Sequence, residues 1–498
     1  MSWGSTARRA GVAALVAVLL VPSAPAGAAR LELDSATIPH LVRELDAGRL
    51  TSVDLTRAYL RRIDTVDRAV RSVLAVDPTA LRQAAESDRR RRDGRARGPL
   101  DGIPLLLKDN IDTRGLATTA GSRALRVPPR DDAELVTRLR AAGAVVLGKT
   151  NLSEWSNFRS TRSISGWSAV GGQTHNPHVL DRSPCGSSSG SGAAVAASLA
   201  QVAVGTETDG SIVCPAGVNG IVGLKPTLGV VSADGIVPIS SRQDTAGPMA
   251  RHVVDAAVLM SVLDRRRAPY ELTPGALRGA RVGVWRWAGH SPEVGRVVAS
   301  AVEVLRRAGA TVVDVELAHQ EEIRAAEWPA LLSEFRHDVE RYLATRPGAP
   351  RTLAELIAFN ERDPVELSRF GQEVFLLARD APPITDPGYV ERRRTATALA
   401  KRSIDEVMTA HDLDVIVSPT NTPAPRTDRA ARVTRARSSA PAAVSGYPNA
   451  TVPAGFVGDL PVGLSFLGGH GEDVRVLRLA AAFEQAAAAR RPPRYLPG

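Results

Sequence analysis

The chain has 498 residues, of which 44% are hydrophobic and 23% charged, and it contains two cysteines. These values are ordinary for a large globular protein and exclude a small scaffold held together by disulfides. The formal net charge is +10, but the 63 basic residues are scattered among 53 acidic ones. Because the densest basic cluster, Arg89–Arg92, has no interleaved aromatic residues for stacking on bases, we expect no nucleic-acid partner.

The N-terminus has the composition of a secretory signal. Arg8 and Arg9 precede the apolar run Ala10–Val21, and small residues follow up to Ala26–Ala28. The run has about 12 residues, whereas a membrane-spanning helix needs about 20, so we expect no permanent membrane anchor. We predict a cleavable signal over residues 1–28, exported by the Sec rather than the Tat route, and a secreted or extracytoplasmic domain over residues 29–498.

The first predicted elements after the signal are two helices. Residues 38–64 have helical periodicity that is interrupted at Asp46–Gly48. Thr51 and Asp54 have the spacing of a capping box, in which the threonine side chain accepts a hydrogen bond from the backbone N–H three residues later. We therefore expect the second helix to begin directly after Thr51.

Apolar runs and helical stretches alternate in the next part of the chain. Strands are predicted at Ile103–Leu107 and Ala144–Leu147, with a helix at Ala133–Ala142 between them. The order of strand, helix and strand recurs over residues 281–315. Such alternation is typical of an α/β fold, in which helices cover a β-sheet, and no linker divides the chain into separate domains.

A Gly/Ser-rich passage occupies the middle of the chain. We predict a loop over Ser160–Gly192, a helix at Ala193–Ala200 and a strand at Val202–Gly205. Farther along, a strand is predicted at Leu413–Val417 and a surface loop at Pro423–Pro441. Most of the motifs that could carry chemistry lie in or beside the Gly/Ser-rich passage.

One motif outside that passage fits the letters of a phosphate-binding P-loop, Gly143–Thr150. In a working P-loop the variable residues form a turn after the strand, whereas Ala144–Leu147 have the pattern of a buried strand. We therefore predict no nucleotide site here.

A second motif, Gly186–Gly190, fits the G-x-S-x-G pattern of an α/β-hydrolase nucleophile, with Ser188 at its centre. That pattern needs a strand directly before it, but residues 175–185 contain two prolines and are typical of a loop. The triad would also need a late histidine, for which His411 and His470 are the candidates. A serine hydrolase or esterase that uses Ser188 is one alternative function.

Three segments together favour a different chemistry. Lys108, one of only four lysines, ends an apolar strand, where burial lowers the pKa of an ammonium group and leaves a neutral amine that can act as a base. The segment Gly186–Gly192 supplies serine hydroxyls on a permissive backbone. Ser211 follows a strand and a tight turn, where four backbone N–H groups are candidates for an oxyanion hole, those of Thr208, Asp209, Gly210 and Ser211.

These segments resemble the amidase signature family, the Ser-cisSer-Lys amidohydrolases, and most closely its peptide amidase-like branch. Ser187 and Ser211 are 24 residues apart, as in that family. Flanking segments also match the family wording at residues 148–155, 223–227, 244–248, 445–449, 451–455 and 460–464. The resemblance extends over about residues 34 to 484.

The resemblance implies an α/β fold with a large mixed β-sheet covered by helices on both faces. It implies that Ser211 is the nucleophile, that Ser187 is a bridging serine after a cis peptide bond, and that Lys108 is the base. The expected reaction is hydrolysis of linear carboxamides to an acid plus ammonia or an amine, through an acyl-Ser211 intermediate. The expected substrate is a small-molecule or peptide amide, with no metal or cofactor, and the expected protein is a monomer or a homodimer.

The sequence departs from the family pattern at two positions. Asp209 stands where many members have glycine, and Val213 stands where many have arginine, so recognition of an acidic substrate by such an arginine is in doubt. Trp155 and Phe158 are candidates for a substrate pocket, with core packing as the alternative role. A catalytically inactive binding protein on the same fold is a second alternative function, although all three triad positions are filled.

The two cysteines, Cys185 and Cys214, flank the segments that carry Ser187 and Ser211. In an exported protein they can form a disulfide, and the alternative is two small buried thiols. The sequence does not decide between these states.

Overall fold

The computed structural model describes residues 1–4, 32–287, 291–427 and 438–498. The predicted secretory signal, apart from its first four residues, lies outside the described residues. So does part of the loop predicted over residues 423–441.

The described residues contain fourteen α-helices and thirteen β-strands. The helices are α1 (Ile38–Asp46), α2 (Ser52–Val70), α3 (Ala80–Arg92), α4 (Glu134–Ala141), α5 (Ser189–Ala196), α6 (Val213–Val218), α7 (Val253–Leu263), α8 (Pro292–Arg307), α9 (Gln320–Leu343), α10 (Leu353–Arg362), α11 (Glu373–Arg379), α12 (Pro387–His411), α13 (Ala440–Ser445) and α14 (Asp473–Ala487). The strands are β1 (Val73–Val76), β2 (Pro104–Lys108), β3 (Val145–Thr150), β4 (Trp167–Ser168), β5 (Gly172–Gln173), β6 (Val202–Glu207), β7 (Val222–Lys225), β8 (Thr245–Ala250), β9 (Arg281–Trp285), β10 (Thr311–Val315), β11 (Val415–Pro419), β12 (Asn449–Val457) and β13 (Leu460–Leu467).

Eleven of the strands form one mixed sheet, in the order β1-β3-β2-β6-β8-β7-β12-β13-β11-β9-β10. The neighbours β3, β2 and β6 run parallel, as do β10, β9 and β11, and the other neighbouring pairs are antiparallel. Helices pack along the sheet, among them α5 against β2, β3 and β6, and α8 against β10, β12 and β13. The predicted fold class, a large mixed sheet covered by helices, is confirmed. Leu33–Gly498 form one compact unit.

The predicted helix break near the N-terminus is confirmed. Helix α1 ends at Asp46, and the chain turns through Gly48, whose φ of +67° favours glycine. Helix α2 begins after Thr51, whose hydroxyl oxygen accepts a hydrogen bond from the Asp54 N–H at 3.0 Å. The sequence pattern therefore located both the end of one helix and the start of the next.

Several other boundaries differ from the prediction, among them the starts of helix α5 and strand β11. Helix α5 covers Ser189–Ala196 rather than Ala193–Ala200. Its first turn is made of serine and glycine, which are poor helix formers, but every residue of α5 is buried, so tertiary packing overrides propensity. Strand β11 begins two residues later than predicted, because the left-handed Asp412 first has to end helix α12.

The segment that fits the P-loop letters is a strand, as predicted. All six residues of β3 are buried, and the Lys149 Nζ lies 3.5 Å from an Asp109 carboxylate oxygen inside the protein. A Cβ at Gly148 would lie 1.9 Å from the carbonyl oxygen of Ala75 on the neighbouring strand. Glycine is therefore required here for close strand packing and not for a phosphate-binding turn. Among the residues that the structure describes, no helix has both the length and the apolar character needed to cross a membrane.

We predict that Thr51→Ala lowers the free energy of unfolding by about 1 kcal/mol, because the first turn of α2 loses its side-chain acceptor. The control is Thr65→Ala in the exposed middle of the same helix, where alanine is the better helix former. Urea unfolding of both variants measures the effect. Equal losses of stability in the two variants would contradict the assigned cap.

Candidate active site

The side chain of Lys108 lies at the carboxyl end of β2, inside the protein. Strand β2 is buried at all five residues, and Lys108 itself is 0% exposed. Its Nζ lies 2.7 Å from the Ser187 hydroxyl oxygen, 2.7 Å from the Thr206 hydroxyl oxygen and 3.3 Å from the Thr206 carbonyl oxygen. Strands β2 and β6 are parallel neighbours, so their carboxyl ends bring Lys108 and Thr206 to the same edge of the sheet.

Burial lowers the pKa of Lys108 to about 7, against an opposing effect of the Asp244 and Glu207 carboxylates. A substantial fraction of this side chain is therefore a neutral amine near neutral pH, as the sequence predicted. A neutral amine has two N–H donors and one lone pair. The two oxygens of Thr206 can accept both donors, which leaves the lone pair for the Ser187 hydroxyl.

The hydroxyl of Thr206 is itself held in place. It also accepts a hydrogen bond from the Asn110 side-chain amide at 2.9 Å, so two donors converge on one oxygen. Neither Thr206 nor Asn110 was among the residues predicted from the sequence. The only signal was a polar side chain at a buried strand end, and its meaning depends on the pairing of β2 with β6.

Ser187 is fully buried, and the Gly186–Ser187 peptide bond is cis, as the family resemblance implies. The Ser187 carbonyl oxygen accepts a hydrogen bond from the Ser153 N–H at 3.0 Å. A Cβ at position 186 would lie 2.1 Å from the Ser153 hydroxyl oxygen, so only glycine fits directly before Ser187. These contacts hold the Ser187 hydroxyl next to Lys108.

The environment of Ser188 differs from that of an α/β-hydrolase nucleophile. Its hydroxyl donates to the Thr206 carbonyl oxygen at 3.0 Å and accepts from the Thr206 N–H at 3.1 Å. No strand precedes it, because the described chain from Asn176 to Gly186 forms no helix or strand. The hydroxyl of Ser188 therefore fixes the backbone of β6, and the geometry disfavours the alternative in which it attacks a substrate.

Ser211 follows β6 at the same edge of the sheet and is 8% exposed. Its carbonyl oxygen accepts a hydrogen bond from the Ser188 N–H at 3.1 Å. This bond places the backbone of Ser211 beside the segment that carries Ser187. The structure therefore brings together all three predicted triad residues, Lys108, Ser187 and Ser211.

The loop before Ser211 has backbone donors available for an oxyanion. One oxygen of the buried Glu207 carboxylate accepts the N–H groups of Ile212 and Val213, at 2.8 and 3.0 Å. Within the described residues, the N–H groups of Gly210 and Ser211 have no hydrogen-bond acceptor. They are two of the four predicted oxyanion donors. Glu207, whose carboxylate holds this turn through the N–H groups of Ile212 and Val213, was not among the residues predicted from the sequence.

The side chains of the other two loop residues, Thr208 and Asp209, form hydrogen bonds with residues outside the loop. The Thr208 hydroxyl donates to Asp244 at 2.5 Å, and burial raises the pKa of that carboxyl group to about 7. The Thr208 carbonyl accepts from the Gln243 side chain at 3.0 Å. The exposed Asp209 carboxylate accepts from the Ser439 hydroxyl at 2.5 Å. The loop is therefore anchored on both sides.

Trp155 and Phe158 are packed into a hydrophobic cluster and are 2% and 7% exposed. Trp155 makes an edge contact with Phe375, and Phe158 contacts Phe335 and Trp328. The structure shows the core-packing role for both residues. Trp328, at 40% exposed, is the member of this group that faces solvent, and sequence analysis missed it.

Cys185 and Cys214 form a disulfide, with Cα atoms 6.0 Å apart. This settles the alternative that the sequence left open. Both residues are buried in a small hydrophobic cluster that also contains Val213 and Val218. The bond connects the segment before Ser187 to the helix after Ser211.

We predict that the Lys108 side chain titrates with a midpoint near pH 7. Because folding lowers this pKa from 10.5, the stability that the neutral amine contributes decreases as the pH falls from about 10.5 towards 7. Selective labelling with [ε-13C]lysine gives few resonances, since the chain has four lysines, and Lys108→Met identifies the one of interest. A midpoint near the ordinary value of 10.5 would contradict this description of the site.

Comparisons with known proteins agree with this architecture. Residues 54–477 match the family model described as Amidase. The chain is 38% identical to a probable amidase of Arabidopsis thaliana, over 93% of this chain and 92% of that one. It is 37% identical to a glutamyl-tRNA(Gln) amidotransferase subunit of Roseiflexus castenholzii, over 90% and 95%. It superimposes on the native peptide amidase from Stenotrophomonas maltophilia with a TM-score of 0.89 and 49% identity, over 93% and 99% of the two chains. This chain therefore belongs to the amidase signature family.

Proposed function

We propose that this amide hydrolase cleaves the C-terminal carboxamide of peptides to a carboxylic acid and ammonia, using Lys108, Ser187 and Ser211. The observation that carries the proposal is the 2.7 Å contact between the Lys108 Nζ and the Ser187 hydroxyl, at a lysine whose pKa is lowered to about 7 by burial. A hydroxyl group is a weak nucleophile until a neighbouring base accepts its proton. Lys108 is the base within reach.

In the proposed first half-reaction, neutral Lys108 accepts the proton of Ser187 while Ser187 accepts the proton of Ser211. The Ser211 oxygen then attacks the amide carbonyl carbon, and the N–H groups of Gly210 and Ser211 donate to the resulting oxyanion. As the tetrahedral intermediate collapses, the proton returns from Lys108 through Ser187 to the leaving nitrogen. Ammonia leaves, and an acyl-Ser211 ester remains.

In the second half-reaction a water molecule replaces the amine. Lys108 and Ser187 accept a proton from water as it attacks the ester, and they return it to the Ser211 oxygen when the acid product leaves. Each proton that Lys108 accepts is given back within the same half-reaction. The residues of the chain therefore complete the cycle in their starting protonation states.

The charge around Ser211 supports a substrate without a free carboxylate next to the scissile bond. Asp209 is exposed two residues before Ser211, and its charge raises the pKa of the buried Glu327 carboxyl group, an effect secondary to burial. Val213, where many family members have arginine, is fully buried. A peptide amide has no charge at its terminus, whereas a free acid is repelled by Asp209.

The comparisons support the peptide substrate class. The identity to the enzyme named peptide amidase is 49%, against 37% to the amidotransferase protein. The N-terminal pattern of residues 1–28 supports export, and an exported enzyme is separated from aminoacyl-tRNA. We propose a secreted or extracytoplasmic location on that basis.

Replacing the proposed nucleophile tests the triad. Ammonia release should be measured from a peptide amide, an aliphatic amide and an aryl amide. We expect Ser211→Ala to lose turnover by at least about a thousandfold, because no other group can form the acyl intermediate. The matched control is Ser188→Ala, which should keep more than about one hundredth of wild-type turnover, since Ser188 moves no proton. The reverse pattern would make Ser188 the nucleophile, and the preferred amide would define the substrate class.

The effect of charge can be tested with two substrates of nearly equal shape, N-acetylglutamine α-amide and N-acetylglutamate α-amide. At pH 8 we expect kcat/KM to be at least about tenfold higher for the neutral substrate, because Asp209 repels the side-chain carboxylate of the other. Asp209→Asn should reduce this ratio, and Asp459→Asn, in the exposed turn between β12 and β13, should leave it unchanged. Equal kcat/KM ratios for wild type and Asp209→Asn would show that Asp209 does not discriminate between the two substrates.

A further inference from the structure

The disulfide joins the two segments that carry the proposed catalytic serines. Cys185 comes two residues before Ser187, and Cys214 comes three residues after Ser211. A disulfide at these positions joins the bridging-serine segment directly to the nucleophile segment.

Hydrogen bonds and packing in a small hydrophobic cluster also join the two segments. The Ser188 N–H donates to the Ser211 carbonyl oxygen at 3.1 Å. The Asn219 side chain donates to the Pro184 carbonyl oxygen at 3.0 Å and to the Pro215 carbonyl oxygen at 2.7 Å. These bonds can stretch or exchange, whereas a covalent bond fixes the separation of the segments.

The backbone at Cys185 also needs external support. Its φ of +54° lies in the left-handed region, which residues other than glycine rarely adopt. Its N–H donates to the Ser183 hydroxyl at 3.1 Å, and its carbonyl oxygen accepts from the Ser189 hydroxyl at 2.5 Å. This conformation sets the direction in which the chain enters the Gly186–Ser187 bond, so the disulfide at Cys185 is one of the contacts that set the position of Ser187.

We propose that the Cys185–Cys214 disulfide is a positioning element for the Ser187 and Ser211 pair, so that full activity requires an oxidising compartment. The inference rests on the proposed function. A proton relay through two hydroxyls depends steeply on distance, and a misplacement of about 1 Å can cost about a hundredfold in rate. We expect the loss in kcat rather than in KM, because both cysteines are at most 1% exposed and so do not contact the substrate.

The redox step balances with an external disulfide as oxidant. The two cysteine thiols lose two protons and two electrons to form the S–S bond, and a protein or small-molecule disulfide accepts them and becomes two thiols. Reduction by a dithiol runs in the opposite direction. The enzyme made in a reducing compartment is therefore the dithiol form.

The first test compares the oxidised full-length enzyme with Cys185→Ala/Cys214→Ala, which leaves no unpaired thiol. Non-reducing mass spectrometry after alkylation in denaturant should find no free thiol in the oxidised wild type. At a temperature well below both thermal unfolding midpoints, we expect the double variant to lose at least about tenfold in kcat for a peptide amide, with KM changed by less than about twofold. An unchanged kcat with a lowered Tm would make the bond purely structural and overturn the proposal.

The second test does not depend on folding of the double variant. Wild-type protein made in a reducing cytoplasm should have low kcat and show two alkylatable thiols after unfolding in denaturant, and oxidation should raise kcat at least about tenfold as both thiols disappear. Added dithiol should have no effect on the double variant. Equal kcat for the dithiol and disulfide forms would overturn this inference alone. An oxidised wild type that hydrolyses no amide would instead overturn the proposed function, and the inference with it.

Discussion

The arrangement of this site depends on the burial of one ammonium group. Removing Lys108 from water disfavours its charged form, and the surrounding oxygens of Thr206 and Ser187 can stabilise a neutral amine by hydrogen bonds. The carboxyl groups of Asp244 and Glu207 oppose this effect without reversing it. A base that is available near neutral pH follows from the position of the residue, and a metal ion is not needed to explain it.

The sheet places the reacting groups. Strands β2 and β6 are parallel neighbours whose carboxyl ends lie at one edge, so the loops after them meet there. Lys108 comes from the first strand, and Ser211 from the loop after the second. The segment with Ser187 enters between them, tied by the hydrogen bond from Ser188 to Ser211 and by the disulfide. Residues far apart in sequence therefore lie together at one edge of the sheet, as the proposed proton path requires.

The sequence predicted the features that depend on local patterns. The start of α2 after Thr51, the buried strand β3 and the lowered pKa of Lys108 each follow from a few neighbouring residues. The hydrogen bond between Asn110 and Thr206 was not predictable, because it joins residues 96 positions apart and depends on strand order. The pairing of the cysteines and the burial of Trp155 also depend on tertiary packing. Helix α5 was misplaced because burial, and not propensity, determines where it begins.

The central claim is that neutral Lys108 is the base that activates Ser211 through Ser187. The most direct measurement is the pH dependence of kcat/KM for a neutral peptide amide between pH 5 and 10. A single rise with a midpoint near 7, the pKa to which burial lowers Lys108, is the predicted result, because protonation of the amine removes the base. A flat profile over this range would show that Lys108 does not supply the base and would contradict the account.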